Sequence, residues 1–339
     1  DEVKKYVLEN NAGDFIFCEQ KERLGTGHAV KQAAPYLPDT GKTLVLYADV
    51  PLITTASLNK LIKSAQRKKI SILTSKITKP KGYGRIIRDE KMNPTNIREE
   101  ADASTQEKTI NEIFTGIMIA DNEFLKNGLK GLVRNNKAGE YYLTDLVEYA
   151  SKRKLPIGST EAKELEVFGA NNKKELEGLY NAMVALNIDA AKKKGTFFKD
   201  TSTCYVEGVL KVGKDVSIGN NVTIKGNVVL GNDVSIGSNV VLSNTKIGSN
   251  STIKEFCSIE DSKIAENVEV GPFARLRNGA VLDSSAKIGN FVEVKKSRIG
   301  QNVKANHHAY IGDADIGKKS NIGAGTITCN YDGENKHKT

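Results

Sequence analysis

The sequence predicts an α/β domain with a mainly parallel sheet, followed by a parallel β-helix. Three observations predict it. Large aliphatic residues recur six apart at Val212, Ile218, Ile224, Leu230, Ile236 and Leu242, and the pattern runs on to about Thr328. Glycine follows many of them (Gly213, Gly219, Gly231, Gly237), and valines fall four residues on, at Val216, Val222, Val228, Val234 and Val240. Before this region, short apolar runs alternate with helix-forming stretches, the pattern of βαβ units.

A period of six fits neither an amphipathic helix nor a hairpin meander. It is the mark of a solenoid. Each hexad makes one flat side, with its aliphatic residue pointing to the axis. Small or β-branched residues fill the corners, where glycine supplies unusual φ. Three hexads per turn give a triangular prism with strands ~4.8 Å apart, and each coil buries its apolar face only against its neighbours. At Ile247, Ile264 and Ile299 five residues replace six, as suits a corner that shortens. A β-sandwich with frequent turns is the alternative, but the turn signals lack hairpin spacing.

In the N-terminal half, Phe15-Ile16-Phe17-Cys18 reads as a buried strand. Leu24-Gly25-Thr26-Gly27-His28-Ala29 is a tight turn with exposed amides, opening a helix over Ala29–Ala34. Such a turn holds a base or phosphate, or simply joins strand to helix. Thr43–Tyr47 is a second strand, ending at Ala48-Asp49-Val50-Pro51-Leu52. A carboxylate at the C-terminal end of a central strand lies where α/β sheets bind ligands. It suits Mg²⁺, which prefers oxygen ligands; alternatively, Asp49 caps the helix around Ala56–Ser64. Ile70–Ile77 and Ile110–Ala120 read as strands, Gly82-Tyr83-Gly84-Arg85 as a turn, and Gly139–Asp145 as the entry to a helix. Glu166–Phe168 is a short strand before Gly169-Ala170-Asn171-Asn172. Lys173–Lys194 reads as a long helix tying the two halves, ended by Gly195-Thr196. The expected organisation is therefore residues 1–172, a linker over 173–200, and a β-helix over 201–339.

A net charge of +9 from 50 Lys and Arg against 41 acids is compatible with nucleic acid, an anionic membrane or phosphorylated substrates. No like-charge block or basic-aromatic interleaving favours nucleic acid, so small anionic substrates are the more economical reading. The four cysteines lack CxxC spacing, which argues against a zinc site or disulfide framework and fits a reducing cytoplasm. No apolar run reaches transmembrane length. The chain starts at Asp1 without methionine and stops at Thr339 just after a coil; both ends are expected to be cut.

The hexads resemble the Ile/Leu/Val-Gly-x-x-Val/Thr-x repeat of hexapeptide acyltransferases, which implies a left-handed parallel β-helix, an exception to the right-handed crossover rule. It also implies a homotrimer with acyl-coenzyme A sites between prisms. The whole chain resembles the bifunctional N-acetylglucosamine-1-phosphate uridyltransferase / glucosamine-1-phosphate N-acetyltransferase family. Its most specific stretches are Leu24–Ala29, Tyr47–Leu52, Gly82–Arg85, Gly139–Asp145, Gly271–Arg277, Gly289–Lys296 and Asn321–Gly333. By that resemblance the N-terminal half is a nucleotidyltransferase that transfers uridylyl from UTP to N-acetylglucosamine-1-phosphate. Gln20, Gly25 and Thr26 would meet the uracil. Asp49, flanked by Tyr47 and Ala48, and Asn171 would hold Mg²⁺. Gly84, Glu99 and Asn171 would contact the sugar. The C-terminal half would acetylate glucosamine-1-phosphate. Arg277 and Lys295 would bind the phosphate, Tyr310 and Asn321 the sugar, and Ala324, Asn330 and Tyr331 acetyl-coenzyme A, with His307 the catalytic base. Spacing adds that Arg277 and Lys295 lie 18 residues apart, one turn of the prism. They are two cations stacked without an acid, or a solvated basic ridge.

Four departures from the family stand out. Its Leu-Ala-Ala-Gly-x-Gly-Thr-Arg-Met triphosphate loop is not in this sequence. Ala48 replaces a glycine, Phe114 replaces a sugar-contacting asparagine, and His308 follows His307 where a hydrophobic residue is usual. As adjacent strand residues, His307 and His308 would point to opposite faces and would not share a metal. That counts against a trimeric β-helix metalloenzyme of carbonic anhydrase type. A monofunctional sugar nucleotidyltransferase with an oligomerising β-helix is the second rival, and an inert β-helix scaffold the third.

Overall fold

A computed structural model describes residues 2–10 and 13–339. Asp1 lies outside the described residues; the first helix, α1, is Glu2–Asn10. The chain divides into two compact units between Leu179 and Tyr180.

The first unit is built on a six-stranded sheet: β1 Lys42–Val45, β2 Ile70–Lys76, β3 Arg85–Arg88, β4 Pro94–Arg98, β5 Glu112–Asp121 and β6 Ile157–Glu161. Its helices include α2 (Thr26–Ala33), α3 (Thr55–Ser64), α4 (Asn122–Lys130) and α5 (Asp145–Lys152). The long strand β5, eight of whose residues are buried, is the spine. It pairs antiparallel with β2 on one edge and with β1 and β3 on the other. Only β2 and β6 pair in parallel, so the sheet is mixed rather than mainly parallel. The cause is local: β3 and β4 form an antiparallel hairpin, and among the described residues only a three-residue 3₁₀ turn, Glu107–Thr109, lies between β4 and β5, too short to carry the chain back for a parallel crossover. Apolar side chains cover both faces, with Ile72, Met118, Leu125, Leu143 and Leu146 in one cluster and Leu61, Leu73, Ile117 and Val167 in the other.

Three expectations change here. Phe15–Cys18 is not a strand, and Phe15, Ile16 and Phe17 are 43%, 64% and 40% exposed; no strand of the described residues runs beside them to accept their ladder. Glu164–Val167 is a 3₁₀ turn instead of a strand, because the buried Glu166 turns its carboxylate to accept from the Thr54 amide and hydroxyl. The strand β1 has β5 as its only partner among the described residues, so Asp49 follows an edge strand rather than a central one.

The helix α6, Lys173–Lys192, contains the division between the units. Its C-terminal half presents Val184, Ile188 and Ala191 to the core of the second unit, an i, i+4, i+7 stripe. Gly195 closes it at φ 95°, its amide donating to the Lys192 carbonyl at 2.9 Å, a glycine stop of the usual left-handed kind.

The second unit is the left-handed β-helix class of fold, a three-sided parallel solenoid. One face stacks Ile218, Ile236, Ile253, Val270, Ile288, Ala305 and Ile322. The second stacks Ile224, Leu242, Ile259, Leu276, Val294 and Ile311. The third stacks Leu230, Ile247, Ile264, Leu282, Ile299 and Ile316. These aliphatic residues and the corner valines form one continuous core. The five-residue sides all fall between the second and third faces. There a single left-handed residue such as Asn244 (φ 46°), Asp261 (φ 46°) or Lys296 (φ 47°) turns the chain. The next residue, Thr245, Ser262 or Ser297, is buried and donates its hydroxyl to a backbone carbonyl.

The glycines do something other than expected. Left-handed corners are occupied mostly by Asn, Asp and Phe, as at Asn221, Asp233, Asn239 and Phe273. The repeat glycines instead permit close stacking of coils: a Cβ at Gly219 would lie 2.7 Å from the Ser238 amide nitrogen and 2.8 Å from the Gly237 carbonyl carbon. Both are backbone atoms that cannot rotate away. Gly219→Ala should therefore destabilise the solenoid by ~1–3 kcal/mol, the usual cost of overpacking. Urea unfolding followed by circular dichroism measures it; an unchanged midpoint refutes this account of the glycine.

Candidate active sites

In the first unit the predicted residues converge around the start of α2. Gly25 has φ 105°, and a Cβ there would sit 2.7 Å from the Tyr141 carbonyl oxygen, so only glycine fits. The Leu24–Gly27 turn is zipped to the segment before α5: Tyr141 N–H donates to Leu24, and Gly27 N–H to Tyr141, each at 2.8 Å. Thr26 Oγ1 accepts from the Leu143 amide at 3.1 Å and also bonds the Tyr47 phenol, which burial pushes above its ordinary pKa. Gln20 donates to the Gly25 carbonyl at 3.2 Å and lies 3.1 Å from His28 Nδ1. Gln20, Gly25, Thr26 and Tyr47 thus form one hydrogen-bonded group.

Asp49 is exposed in the loop after β1, beside Ala48. It does not cap α3; Thr54 does, accepting from the Ser57 amide. Its carbonyl accepts from Ala170 N–H at 3.1 Å, and a Cβ at Gly169 would come within 3.6 Å of its carboxylate. The next residue is Asn171, so the two predicted metal ligands are neighbours in space. Glu175 accepts from both the Asn171 amide and its side-chain N–H at 2.8 and 3.4 Å, which leaves Asn171 Oδ1 as the free acceptor. Two hard oxygens, from an exposed carboxylate and an amide, fit Mg²⁺ that keeps waters and phosphate oxygens for its other positions. Among the described residues no group of three or more His, Cys, Asp and Glu could hold a metal ion.

Glu99 lies at the other side of the group. Thr144, itself buried, donates to Glu99 Oε1 at 2.9 Å. A Cβ at Gly84 would lie 3.2 Å from Oε2, so Gly84 and Glu99 face each other. Burial raises the Glu99 pKa. Behind it a polar cavity of about 550 Å³ is lined by Arg98, Asp102, Tyr142 and Asp145 among others. Burial lifts Asp145 to about 6 and the Tyr142 phenol to about 12. Phe114 is buried in the core cluster with Ile72 and Met118.

In the second unit Arg277 and Lys295 stack in register on the second face, with Tyr310 on the next coil. They are not free of acids. Glu293 accepts from Arg277 Nε at 2.6 Å, and Asp313 lies 3.8 Å from Lys295 Nζ. The acids follow from the fold: Glu293 is two residues before Lys295 on the same outward face, and Asp313 is the left-handed corner (φ 51°) at the end of the next coil. Asn330 is buried and donates to Asp313 at 2.5 Å, the first cause of that carboxyl's lowered pKa. Tyr331 is exposed, its hydroxyl donating to the Gly333 carbonyl.

His307 is exposed on the strand Lys304–Gly312, between the first and second faces. His308 is exposed too, but at φ 36°; the two diverge because His308 is a left-handed corner, not because strand side chains alternate. Register puts Asn290 below His307. It also puts Asn321 above Lys304, which carries Ala324 above His307. Asn321 is on the first face, away from Arg277 and Lys295. Reasoning from sequence missed Thr144, Asn290, Glu293 and Asp313. The last three were findable by applying the 17–18-residue coil offset to polar positions.

Comparison with known proteins agrees with both halves. A nucleotidyl transferase family model matches residues 2–165, and a GMPPB C-terminal domain model matches residues 203–286. The bifunctional protein GlmU of Idiomarina loihiensis is 45% identical over 340 residues, covering 100% of this chain and 74% of that protein. The GlmU proteins of Nitrosomonas europaea and Acinetobacter baylyi are 44% and 46% identical, covering 100% and 95% of this chain. The chain belongs to the bifunctional GlmU family. That places a GlmU-type nucleotidyltransferase and a hexapeptide β-helix in one polypeptide and makes the chain a transferase. No helix among the described residues is long and apolar enough to cross a membrane.

Proposed function

We propose that this protein makes UDP-N-acetylglucosamine in two steps at two sites: acetyl transfer from acetyl-coenzyme A to glucosamine-1-phosphate, then uridylyl transfer from UTP to the product, releasing pyrophosphate. The carrying observation is that a single chain, similar over its full length to bifunctional GlmU proteins, holds both residue groups. We assign uridylyl transfer to residues 1–172 and acetyl transfer to 201–339, with 173–200 between them.

In the first site Gln20, Gly25 and Thr26 orient the uracil, and Gly84 and Glu99 hold the sugar so that its phosphate attacks the α-phosphorus in line with the leaving pyrophosphate. Asp49 and Asn171 would hold Mg²⁺, which when bound offsets phosphate charge. In the second site Arg277 and Lys295, already oriented by Glu293 and Asp313, bind the sugar phosphate, with Tyr310 and Asn321 at the sugar. Ala324, Asn330 and Tyr331 line the acetyl-coenzyme A side. His307 removes a proton from the sugar ammonium; the amine then attacks the thioester carbonyl and the thiol leaves. The β-helix assembles a homotrimer that shares each acetyl site between subunits, and the protein works in the cytoplasm.

The test is two assays on the intact gene product: thiol release from acetyl-coenzyme A with glucosamine-1-phosphate, and pyrophosphate release from UTP with N-acetylglucosamine-1-phosphate. Both should proceed, with a trimer mass by light scattering. Pyrophosphate release without thiol release would leave only a monofunctional nucleotidyltransferase, and a fully acetylating monomer would end the shared-site reading.

A further inference from the structure

We propose that Asn290 is a positioning residue for acetyl transfer: its side-chain carbonyl holds the proton of His307 on Nδ1 and leaves the Nε2 lone pair to receive the proton of the sugar ammonium. This rests on the reading of His307 as base.

Asn290 and His307 are partners in register on adjacent coils, and Asn290 Oδ1 lies 3.0 Å from His307 Nδ1. Carbonyl oxygen only accepts, so the nitrogen facing it carries the hydrogen, and in neutral imidazole the other nitrogen is then the acceptor. The approach of the two coils is built in. A Cβ at Gly289 would lie 1.9 Å from the Asn306 carbonyl oxygen, so glycine next to Asn290 lets the strand carrying His307 come down onto it. On the coil above, the residue over His307 is Ala324, between Gly323 and Gly325, which keeps that side of the ring uncrowded. His308 has no such side-chain partner among the described residues: its carbonyl accepts from Gly325 N–H at 2.7 Å, and its ring stands on the corner.

The charged surroundings make the amide the natural partner. On the coil below, Lys287 and Glu293 are paired with Glu269 and Arg277. On the coil above, Asn321–Thr328 carries no charged side chain. On its own coil the titratable neighbours are Lys304, His308 and Tyr310. No carboxylate is paired with His307 among the described residues, so a neutral acceptor orients the ring without tying the proton to it.

The test combines a spectrum and a pH profile on the intact trimeric enzyme. In ¹⁵N-histidine NMR above the imidazole pKa, His307 of the native protein should show protonated Nδ1 and unprotonated Nε2. Asn290→Ala should convert it to a tautomer mixture and lower kcat for acetyl transfer ~10-fold with both KM values within about twofold, on the scale of losing an orienting partner. Asn290→Asp, which can only accept, should restore most of kcat and move the acid limb of the kcat profile up by about one pH unit, because a carboxylate favours imidazolium. Uridylyl transfer should be unchanged in both, reporting an intact fold. A native His307 protonated on Nε2, or an Asn290→Ala enzyme with unaltered tautomer and kcat, overturns the proposal. Failure of the base reading is distinguishable, since it would appear as His307→Ala retaining acetyl transfer whatever the tautomer in the spectrum.

Discussion

His307→Ala should lower acetyl transfer by ~10² or more while uridylyl transfer and assembly mass stay as they were. An amine attacks a thioester only through a free lone pair, and a sugar amine is substantially protonated at neutral pH. An unperturbed imidazole titrates at ~6.5 and accepts that proton under working conditions, and a positioned base contributes ~10²–10⁴-fold. His307 is exposed, outside the packed core, and its ring is held by Asn290. Its truncation therefore opens no cavity, and a loss of rate cannot be assigned to an unfolded coil. His308→Ala is the internal control: the corner residue should change little. Equal behaviour of the two variants, or normal acetyl transfer by His307→Ala, would remove the base from this mechanism.

Asp49→Ala should abolish uridylyl transfer and leave acetyl transfer largely intact. Asp49 is an exposed loop residue that does not cap the following helix, Thr54 having that task. Its carboxylate has no ion pair or side-chain hydrogen bond among the described residues, so its removal costs the fold little. On the proposed reading, what is lost is one of two hard oxygens beside Gly169–Asn171 that would hold the cation offsetting phosphate charge. The residues proposed for acetyl transfer are in a separate compact unit. Parallel loss of both activities in a folded Asp49→Ala protein would contradict two independent sites. Mg²⁺ titration of the remaining uridylyl transfer gives a second measure, since Asp49→Asn should demand more metal than the native protein.

Much of the second unit was legible in the sequence because its register is repetitive. Every buried rung from Ile218 to Ile311 falls where the hexads place it, and the short sides at Ile247, Ile264 and Ile299 do close one corner. Glycine chemistry was misjudged there, because sequence shows which residue follows an aliphatic but not that the neighbouring coil's backbone lies against it. Strand direction in the first unit was not legible. Direction depends on the connection, and β3, β4 and β5 follow each other without an α-helix. Phe15–Phe17 reads as a strand by composition, yet a strand exists only beside a partner edge. The motif residues Gly25, Thr26, Tyr47, Glu99 and Gly84 come together because their segments are bonded to one another. The acids beside Arg277 and Lys295 escaped notice because contact across a coil is invisible to reading by local spacing.

The prism varies in length at only one of its corners. Between the second and third faces the side takes six residues from Ile224 to Leu230 and from Leu276 to Leu282, but five from Leu242 to Ile247 and from Val294 to Ile299. The strands above and below still pair residue to residue. That edge therefore works as an expansion joint, taking up a residue more or less without shearing the stack. The wall carrying Arg277, Lys295 and Tyr310 ends at this joint, and His307 stands at the opposite, invariant edge. Changes of chain length collected at the joint leave Arg277, Lys295 and Tyr310 in register on their wall. A molecule built by counting can thus lose count in one place and keep its chemistry aligned.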